Sequence, residues 1–167
     1  LDVIMDANGI TLCTYFSDSK NVLHWIASPD FSHVGKYLLP YFDHVIFKEA
    51  WQSKEQGDAY FSKVYSVKEK NSFFEHAFEH SDYKHFTEEI KQWIFDNDKH
   101  TLSCAWQKNS ALLIPSNTGV LPTKSEKEIL IRFSKVFEQA YIRFMDLQKA
   151  EAQARKAQIE ASLERVR

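Results

Sequence analysis

The feature that most constrains the fold is the last 43 residues, from Ser125 to Arg167, which contain neither glycine nor proline. As a single helix this segment is about 64 Å long, at roughly 1.5 Å per residue. A chain of 167 residues forms about one domain, and a globule of that size does not need so long a helix. The segment therefore predicts a helix that packs on the globular part and continues beyond it.

The two halves of this helix differ in their apolar side chains. The first half has apolar residues at alternating steps of four and three, which suits burial against a sheet and against a second copy of the helix. Beyond them two weaker stripes compete, one of alanines and one of larger residues. This favours a parallel two-stranded coiled coil, with a helix that ends in a solvated tail as the alternative. The first set is Phe133, Phe137, Ala140, Phe144 and Leu147, and the two stripes are Ala150, Ala154, Ala157 and Ala161, and Ala152, Ile159, Leu163 and Val166.

The composition excludes several classes of protein. Lys and Arg total 21 against 23 Asp and Glu, whereas a general nucleic-acid groove needs a basic excess. The 4 glycines are isolated, so neither a dinucleotide-binding nor a P-loop motif occurs. Cys13 and Cys104 lie in apolar runs, which favours a reducing, cytoplasmic setting, and no apolar run has the length of a membrane span.

Because the chain begins with Leu1 and ends inside a helical pattern, we expect a fragment of a longer protein.

Local patterns predict a core of mixed strands and helices. Six runs rich in β-forming residues are predicted as strands, with hairpins at Asn8-Gly9 and at Lys108-Asn109. Apolar residues spaced three and four apart predict a short helix over about 45–52, ended by Gly57, and two further helices, the second capped by Thr87. The predicted strands are 3–6, 10–16, 22–27, 60–67, 101–107 and 111–114, the last ended by Pro115, and the later helices are 68–79 and 87–96.

One string resembles a catalytic metal motif. His76, Glu79 and His80 match the pattern H-x-x-E-H, which places two imidazoles on one helical face where they can bind zinc, with the acid as base. A zinc enzyme also needs a distant third ligand, and the sequence does not single one out. We therefore prefer a solvated helix face. No serine or cysteine nucleophile motif is present, and no kinase motif either.

The chain is rich in aromatic side chains, and most of them are expected in the core. A minority of the Trp, Tyr and His side chains is expected to line a small-molecule pocket between the sheet and the middle helices, where apolar walls combine with few polar groups. The candidates are Trp25, Tyr41, His44, Trp51, Trp93 and Trp106.

Several stretches resemble GAF-like sensor domains of bacterial signalling proteins, of the sensor histidine kinase type. Residues 129–167, including Arg132-Phe133-Ser134-Lys135-Val136-Phe137, resemble the signalling helix by which such domains run into an output module. Residues 39–44 (Leu-Pro-Tyr-Phe-Asp-His) and 90–95 (Ile-Lys-Gln-Trp-Ile-Phe) resemble the middle region of the same family. The resemblance covers most of the chain from about Leu38 onward.

The resemblance implies an α+β fold with an antiparallel sheet of about six strands, helices on both faces, and dimerisation through the C-terminal helices. It divides the chain into a sensor core, 1–124, whose usual N-terminal helix is missing, and a C-terminal helix, 125–167, that packs on the core and continues as a coiled-coil signalling helix. The family's downstream module is typically a histidine kinase. The cyclic-nucleotide signature NKxxFDE and a chromophore-attaching cysteine setting are absent, so the cofactor and the ligand stay unknown.

The function expected from these features is a non-catalytic regulatory input domain in a signalling protein. A small-molecule ligand would shift the paired helices and so bias the downstream output module. The alternative is a ligand-free dimerisation module, and a remote alternative is a zinc-dependent hydrolase that uses His76, Glu79 and His80.

Overall fold

The computed structural model describes residues 9–16, 19–27 and 34–164. Within these ranges six strands form one antiparallel sheet in the order β3-β2-β1-β6-β5-β4. β1 and β6 are neighbours, from Thr11 opposite Leu113 to Thr14 opposite Ser110. The first and the last described strands in chain order are therefore paired with each other inside the sheet. The strands are β1 (Ile10–Tyr15), β2 (Val22–Ala27), β3 (Val34–Leu39), β4 (Tyr60–Ser66), β5 (Lys99–Trp106) and β6 (Ser110–Ser116).

Five of the predicted strands are confirmed, with bounds that differ by at most two residues. The predicted strand 3–6 and its Asn8-Gly9 hairpin fall largely outside the described residues. β3 is absent from the predictions; it forms because its backbone completes a ladder with β2, from Leu39 opposite Val22 to Val34 opposite Ala27. The predicted end at Pro115 is wrong, since β6 continues to Ser116 with Pro115 opposite Leu102.

Three helices cover one face of the sheet: α1 (Val45–Glu55), α2 (Val67–His80) and α3 (Glu88–Asp96), with a 3₁₀ turn (Asp82–His85) before α3. All three predicted helices are confirmed. The Thr87 side chain caps α3 by accepting a hydrogen bond from the Ile90 amide, and Ser66 and Glu69 form a capping box at the start of α2. Gly57 follows α1 with a φ of 81°, a backbone conformation that favours glycine.

The long C-terminal helix is confirmed as α4 (Lys124–Glu164), 41 residues, and it packs on the opposite face against β5 and β6. Its buried residues are Leu130, Ser134 and Glu138. The expectation that the apolar set packs on the sheet holds only for Phe137, which is partly buried beside Leu112 and Ile114. The side chains of Phe133, Phe144 and Leu147 are 46%, 54% and 63% exposed, because they lie on the sides of the helix that face away from the sheet.

The rest of α4 extends away from the core as a solvated rod. Ile159 and Leu163 are exposed along it, and Val166 lies outside the described residues. None of the described helices has both the length and the apolar character needed to cross a membrane.

Candidate ligand-binding cavity

A cavity of about 330 Å³ lies between the sheet and the layer formed by α1, α2 and α3. Its floor consists of side chains from five strands, and its roof of side chains from the three helices and the 3₁₀ turn. Most of the lining is apolar or aromatic, as in natural small-molecule sites, which have a similar size. The floor includes Thr11, Cys13, His24, Leu102, Cys104 and Leu113, and the roof includes Ile46, Ala50, Phe73, Phe74, Tyr83 and Ile90.

Strand alternation decides which residues reach this cavity. Successive side chains of a strand point to opposite faces of the sheet, so Thr11, Cys13 and Tyr15 of β1 line the cavity. Thr14 lies on the face covered by α4. On α1, Phe47, Ala50 and Trp51 share one helical face because they are three and four residues apart, and all three line the roof.

A buried histidine of the floor and a buried tyrosine of the roof are paired in the cavity lining. The Nδ1 atom of His24 and the hydroxyl of Tyr83 are 2.5 Å apart and hydrogen-bonded. Burial lowers the pKa of His24 to about 4 and raises the pKa of Tyr83 above its usual range. Both side chains are therefore neutral at pH 7, and they connect the floor strand β2 to the roof.

A second polar pair, His100 and Lys70, lies at the end of the cavity near α3. Burial, with a smaller effect from Lys70, lowers the pKa of His100 to about 4. The Lys70 side chain is 1% exposed, and its ammonium donates hydrogen bonds to the carbonyls of Ile94 and Asn97. Burial also lowers the pKa of Lys70. The one basic ammonium in the described lining is thus already bonded to backbone oxygens.

Two polar atoms in the lining have no hydrogen-bond partner among the described residues. They are the hydroxyl of Tyr15 and the side-chain amide nitrogen of Asn117, and both atoms are buried. Thr14 is paired with Ser110 at the start of β6, whereas Asn117 directly follows β6. Tyr15 and Asn117 therefore lie at opposite ends of the cavity, and each offers an N–H or O–H donor there.

The structure brings three of the six predicted pocket residues to the cavity: Trp51, Trp93 and Trp106. The other three lie elsewhere. Trp25 is 44% exposed on the opposite face of the sheet, because it alternates with His24, and the Lys36 ammonium lies 4.9 Å from its ring.

Tyr41 and His44 precede α1 and do not line the cavity. Tyr41 packs on Phe47, with ring centroids 5.4 Å apart. The Nδ1 atom of His44 accepts a hydrogen bond from the Ile46 amide at 3.2 Å, and its Nε2 atom lies 2.9 Å from the Ser72 hydroxyl. His44 is therefore a helix cap.

The prediction from sequence missed His24, Tyr83, His100, Lys70 and Tyr15. A signal was present for two of them: in β2, His24 alternates in step with Val22 and Ile26, and in β5, His100 alternates in step with Leu102. A polar residue on the apolar side of a strand is a candidate for a pocket. Lys70 and Tyr83 can be identified as lining residues only after the helices and the 3₁₀ turn have been placed over the sheet.

The zinc-like string lies on α2, outside the cavity. The His76 ring stacks on Phe42 with centroids 4.0 Å apart and lies 4.5 Å from the His80 ring. The Nε2 atom of His80 is 3.5 Å from a carboxylate oxygen of Glu79. In the part of the chain that the structure describes, no three His, Cys, Asp or Glu side chains are grouped so that they hold a metal ion. Among these described residues, no third ligand joins His76 and His80 to complete a zinc site.

Residues 107–109, the tip of the β5–β6 hairpin, are bonded to α1. The Lys54 ammonium donates to the carbonyls of Gln107 and Lys108 at 3.4 and 3.5 Å. The Trp106 indole, which lines the cavity just before the tip, donates to the Ser53 hydroxyl at 3.2 Å. The roof helix α1 and the β5–β6 hairpin are therefore hydrogen-bonded directly to each other.

The same hairpin tip is bonded on its other side to α4. The Gln107 side-chain amide donates to the Ser134 hydroxyl at 2.9 Å. The Glu138 carboxylate accepts from the backbone and side-chain amides of Asn109, at 3.0 and 2.8 Å, and from the Ser110 hydroxyl at 2.5 Å. Hydrogen bonds to a charged group are among the stronger ones in proteins. A continuous hydrogen-bonded path thus leads from the cavity roof to α4.

No family model, curated protein or solved structure matches this chain.

Proposed function

We propose that this chain is a non-catalytic regulatory input domain that binds a small molecule between the sheet and α1–α3 and relays its binding through α4. The observation that carries the proposal is the 330 Å³ cavity. Protein interiors are normally packed with few voids larger than a water molecule. An apolar cavity of this size is typical of a site that is kept for a small-molecule ligand.

The hydrogen bonds of the hairpin tip are the evidence for a relay from the cavity to α4. A ligand that displaces Trp51 or Trp106 acts on α1 and on the end of β5, and both are hydrogen-bonded to the tip. Glu138 and Ser134 transmit the displacement to α4. A ligand shifts this equilibrium only by its difference in affinity between two arrangements, so the proposal requires two positions of α4 relative to the tip.

We further propose that two copies pair through α4. Phe133, Phe144 and Leu147 are 46%, 54% and 63% exposed, and Ile159 and Leu163 continue the apolar character along the rod. Burial of one such side chain contributes roughly 1.5–3 kcal/mol, so a helix pair that covers several of them is stable. A parallel pair is the arrangement that carries a signal along the rod.

The resemblance to GAF-like sensor domains supports the same function. A six-stranded antiparallel sheet with helices on both faces and a long C-terminal helix is compatible with it. By that resemblance, the output module that follows is a histidine kinase of a two-component system, and the protein acts in the cytoplasm.

The proposal is tested by thermal unfolding of the chain with a chemically diverse set of small molecules. A compound that binds only the folded state raises the free energy of unfolding by RT ln(1 + [L]/Kd). The matched control is Ala50→Leu, which puts a larger side chain into the roof and is expected to abolish the shift. If no compound raises the melting temperature while sedimentation shows a dimer, the chain is a ligand-free dimerisation module instead.

A further inference from the structure

The charge of the cavity lining restricts its ligand. The described lining contains no Asp, Glu or Arg. The Lys70 ammonium is bonded to the carbonyls of Ile94 and Asn97, and His24 and His100 are neutral because burial lowers the pKa of each to about 4. A charged ligand in this cavity would lose its hydration without gaining a free counter-charge, which is strongly unfavourable.

The shape of the cavity restricts the ligand further. The lining runs along β5 from His100 to Trp106, about 20 Å at roughly 3.4 Å per residue, and across β3, β2, β1, β6 and β5, about 19 Å at roughly 4.8 Å per spacing. A volume of 330 Å³ over such an area is a thin slot parallel to the sheet. An apolar cavity of about 150 Å³ binds one benzene, so this slot suits a flat molecule of about two rings.

Tyr15 supplies a polar anchor at one end of the slot. Its hydroxyl is buried and has no hydrogen-bond partner among the described residues. Its ring is held by Trp51, with centroids 5.3 Å apart, and by the Lys54 ammonium, 4.7 Å from the ring centroid. A buried unpaired polar group is unfavourable until a partner reaches it, and burial raises the pKa of Tyr15, so the hydroxyl keeps its proton and donates.

We propose that the ligand is an uncharged, planar molecule of about two fused rings, with a carbonyl or similar acceptor that takes a hydrogen bond from the Tyr15 hydroxyl. This inference rests on the proposed function, because it names the ligand class of the same cavity. At this end the ligand touches Trp51 and Trp106, the residues next to the hairpin tip that leads to α4.

The experiment measures the affinities of four probes by calorimetry. Coumarin and 1-tetralone are neutral two-ring carbonyl compounds, 1,2-dihydronaphthalene has the same shape without an acceptor, and 2-naphthoate is its charged counterpart. The test variant is Tyr15→Phe, which removes only the unpaired hydroxyl. The matched control is Tyr60→Phe, because the Tyr60 hydroxyl is also buried without a partner among the described residues but packs under α4, outside the cavity.

We expect the two carbonyl compounds to bind and 2-naphthoate not to bind. Tyr15→Phe is expected to weaken coumarin binding about three- to tenfold, the range for one neutral hydrogen bond, and to leave 1,2-dihydronaphthalene unchanged. Tyr60→Phe is expected to change neither. An equal effect of Tyr15→Phe on both compounds, or no binding of the carbonyl compounds, overturns the ligand class. If a charged compound of the diverse set binds and Ala50→Leu abolishes that binding, only the ligand class fails; if nothing binds, the proposed function fails too.

Discussion

The neutral lining of the cavity predicts a steep loss of stability in mild acid. The pKa of His24 and the pKa of His100 are both about 4 in the folded chain, against an ordinary value of 6.5. Between these values the unfolded chain binds more protons than the folded one. Stability therefore rises with pH in this window: it is fully present above about pH 6.5 and is lost as the pH falls toward 4.

The size of this effect follows from the two pKa values. Between pH 7 and pH 5 one histidine with a pKa of about 4 in the folded state and 6.5 in the unfolded state lowers the free energy of unfolding by about 2 kcal/mol. The two buried histidines together lower it by about 4 kcal/mol. Unfolded carboxyl groups titrate mostly below this range, near pH 4, so the histidines dominate the loss above pH 5.

Urea denaturation followed by tryptophan fluorescence at pH 5, 6 and 7 measures the effect. His24→Gln and His100→Gln are each expected to remove about half of the pH dependence of the free energy of unfolding. This expectation does not depend on how each variant changes the stability at pH 7. His85→Gln is the control, because this imidazole is exposed, and it is expected to change little. A loss below about 0.5 kcal/mol in the unmodified chain would show that these histidines are not buried as neutral groups.

Three further predictions concern the core and the helix. Glu138→Ala is expected to lower the free energy of unfolding by about 2–4 kcal/mol, because it leaves the hairpin-tip donors unpaired; a urea midpoint unchanged from the parent would contradict this. Ala50→Leu is expected to be tolerated because it extends into the cavity, whereas Ala105→Leu, in the packed layer under α4, destabilises by about 1–3 kcal/mol; equal urea midpoints for the two variants would argue against the cavity. Leu163→Glu, on the solvated rod, is expected to shift the chain from dimer to monomer in sedimentation without lowering its melting temperature, and a monomeric parent chain at high micromolar concentration would contradict the dimer.

Local sequence patterns were sufficient to predict where a helix begins or ends when one short-range interaction decides it. The end of α1 before Gly57 and the Thr87 cap follow from backbone freedom and capping chemistry. β3 escaped prediction because Gly35 and Lys36 interrupt its apolar pattern, and its strand conformation depends on pairing with β2.

The side that each residue faces was harder to predict than the element that contains it. Trp25 and His24 are adjacent in β2. Trp25 was predicted to line the pocket because it is aromatic, but the alternation of side chains along the strand places His24 in the cavity. On α4 the hydrophobic pattern selected Phe133 and Phe144, whereas the face on the sheet includes Ser134 and Glu138. These polar residues are buried because the hairpin tip supplies their partners, a tertiary contact that no local pattern encodes.

A molecule in the cavity is expected to change how two α4 helices pair. The distance between nitroxide labels at Gln153→Cys in the two copies, measured by pulsed electron paramagnetic resonance with and without coumarin, tests this expectation. Cys13 and Cys104 are buried, and burial raises the pKa of each thiol, which slows its reaction with the label; because both line the cavity, the unmodified chain treated with the same label is the control. We expect coumarin to change the distance distribution, and we expect Ala50→Leu to abolish that change. Identical distributions under saturating coumarin, or no distance between copies at all, would contradict it.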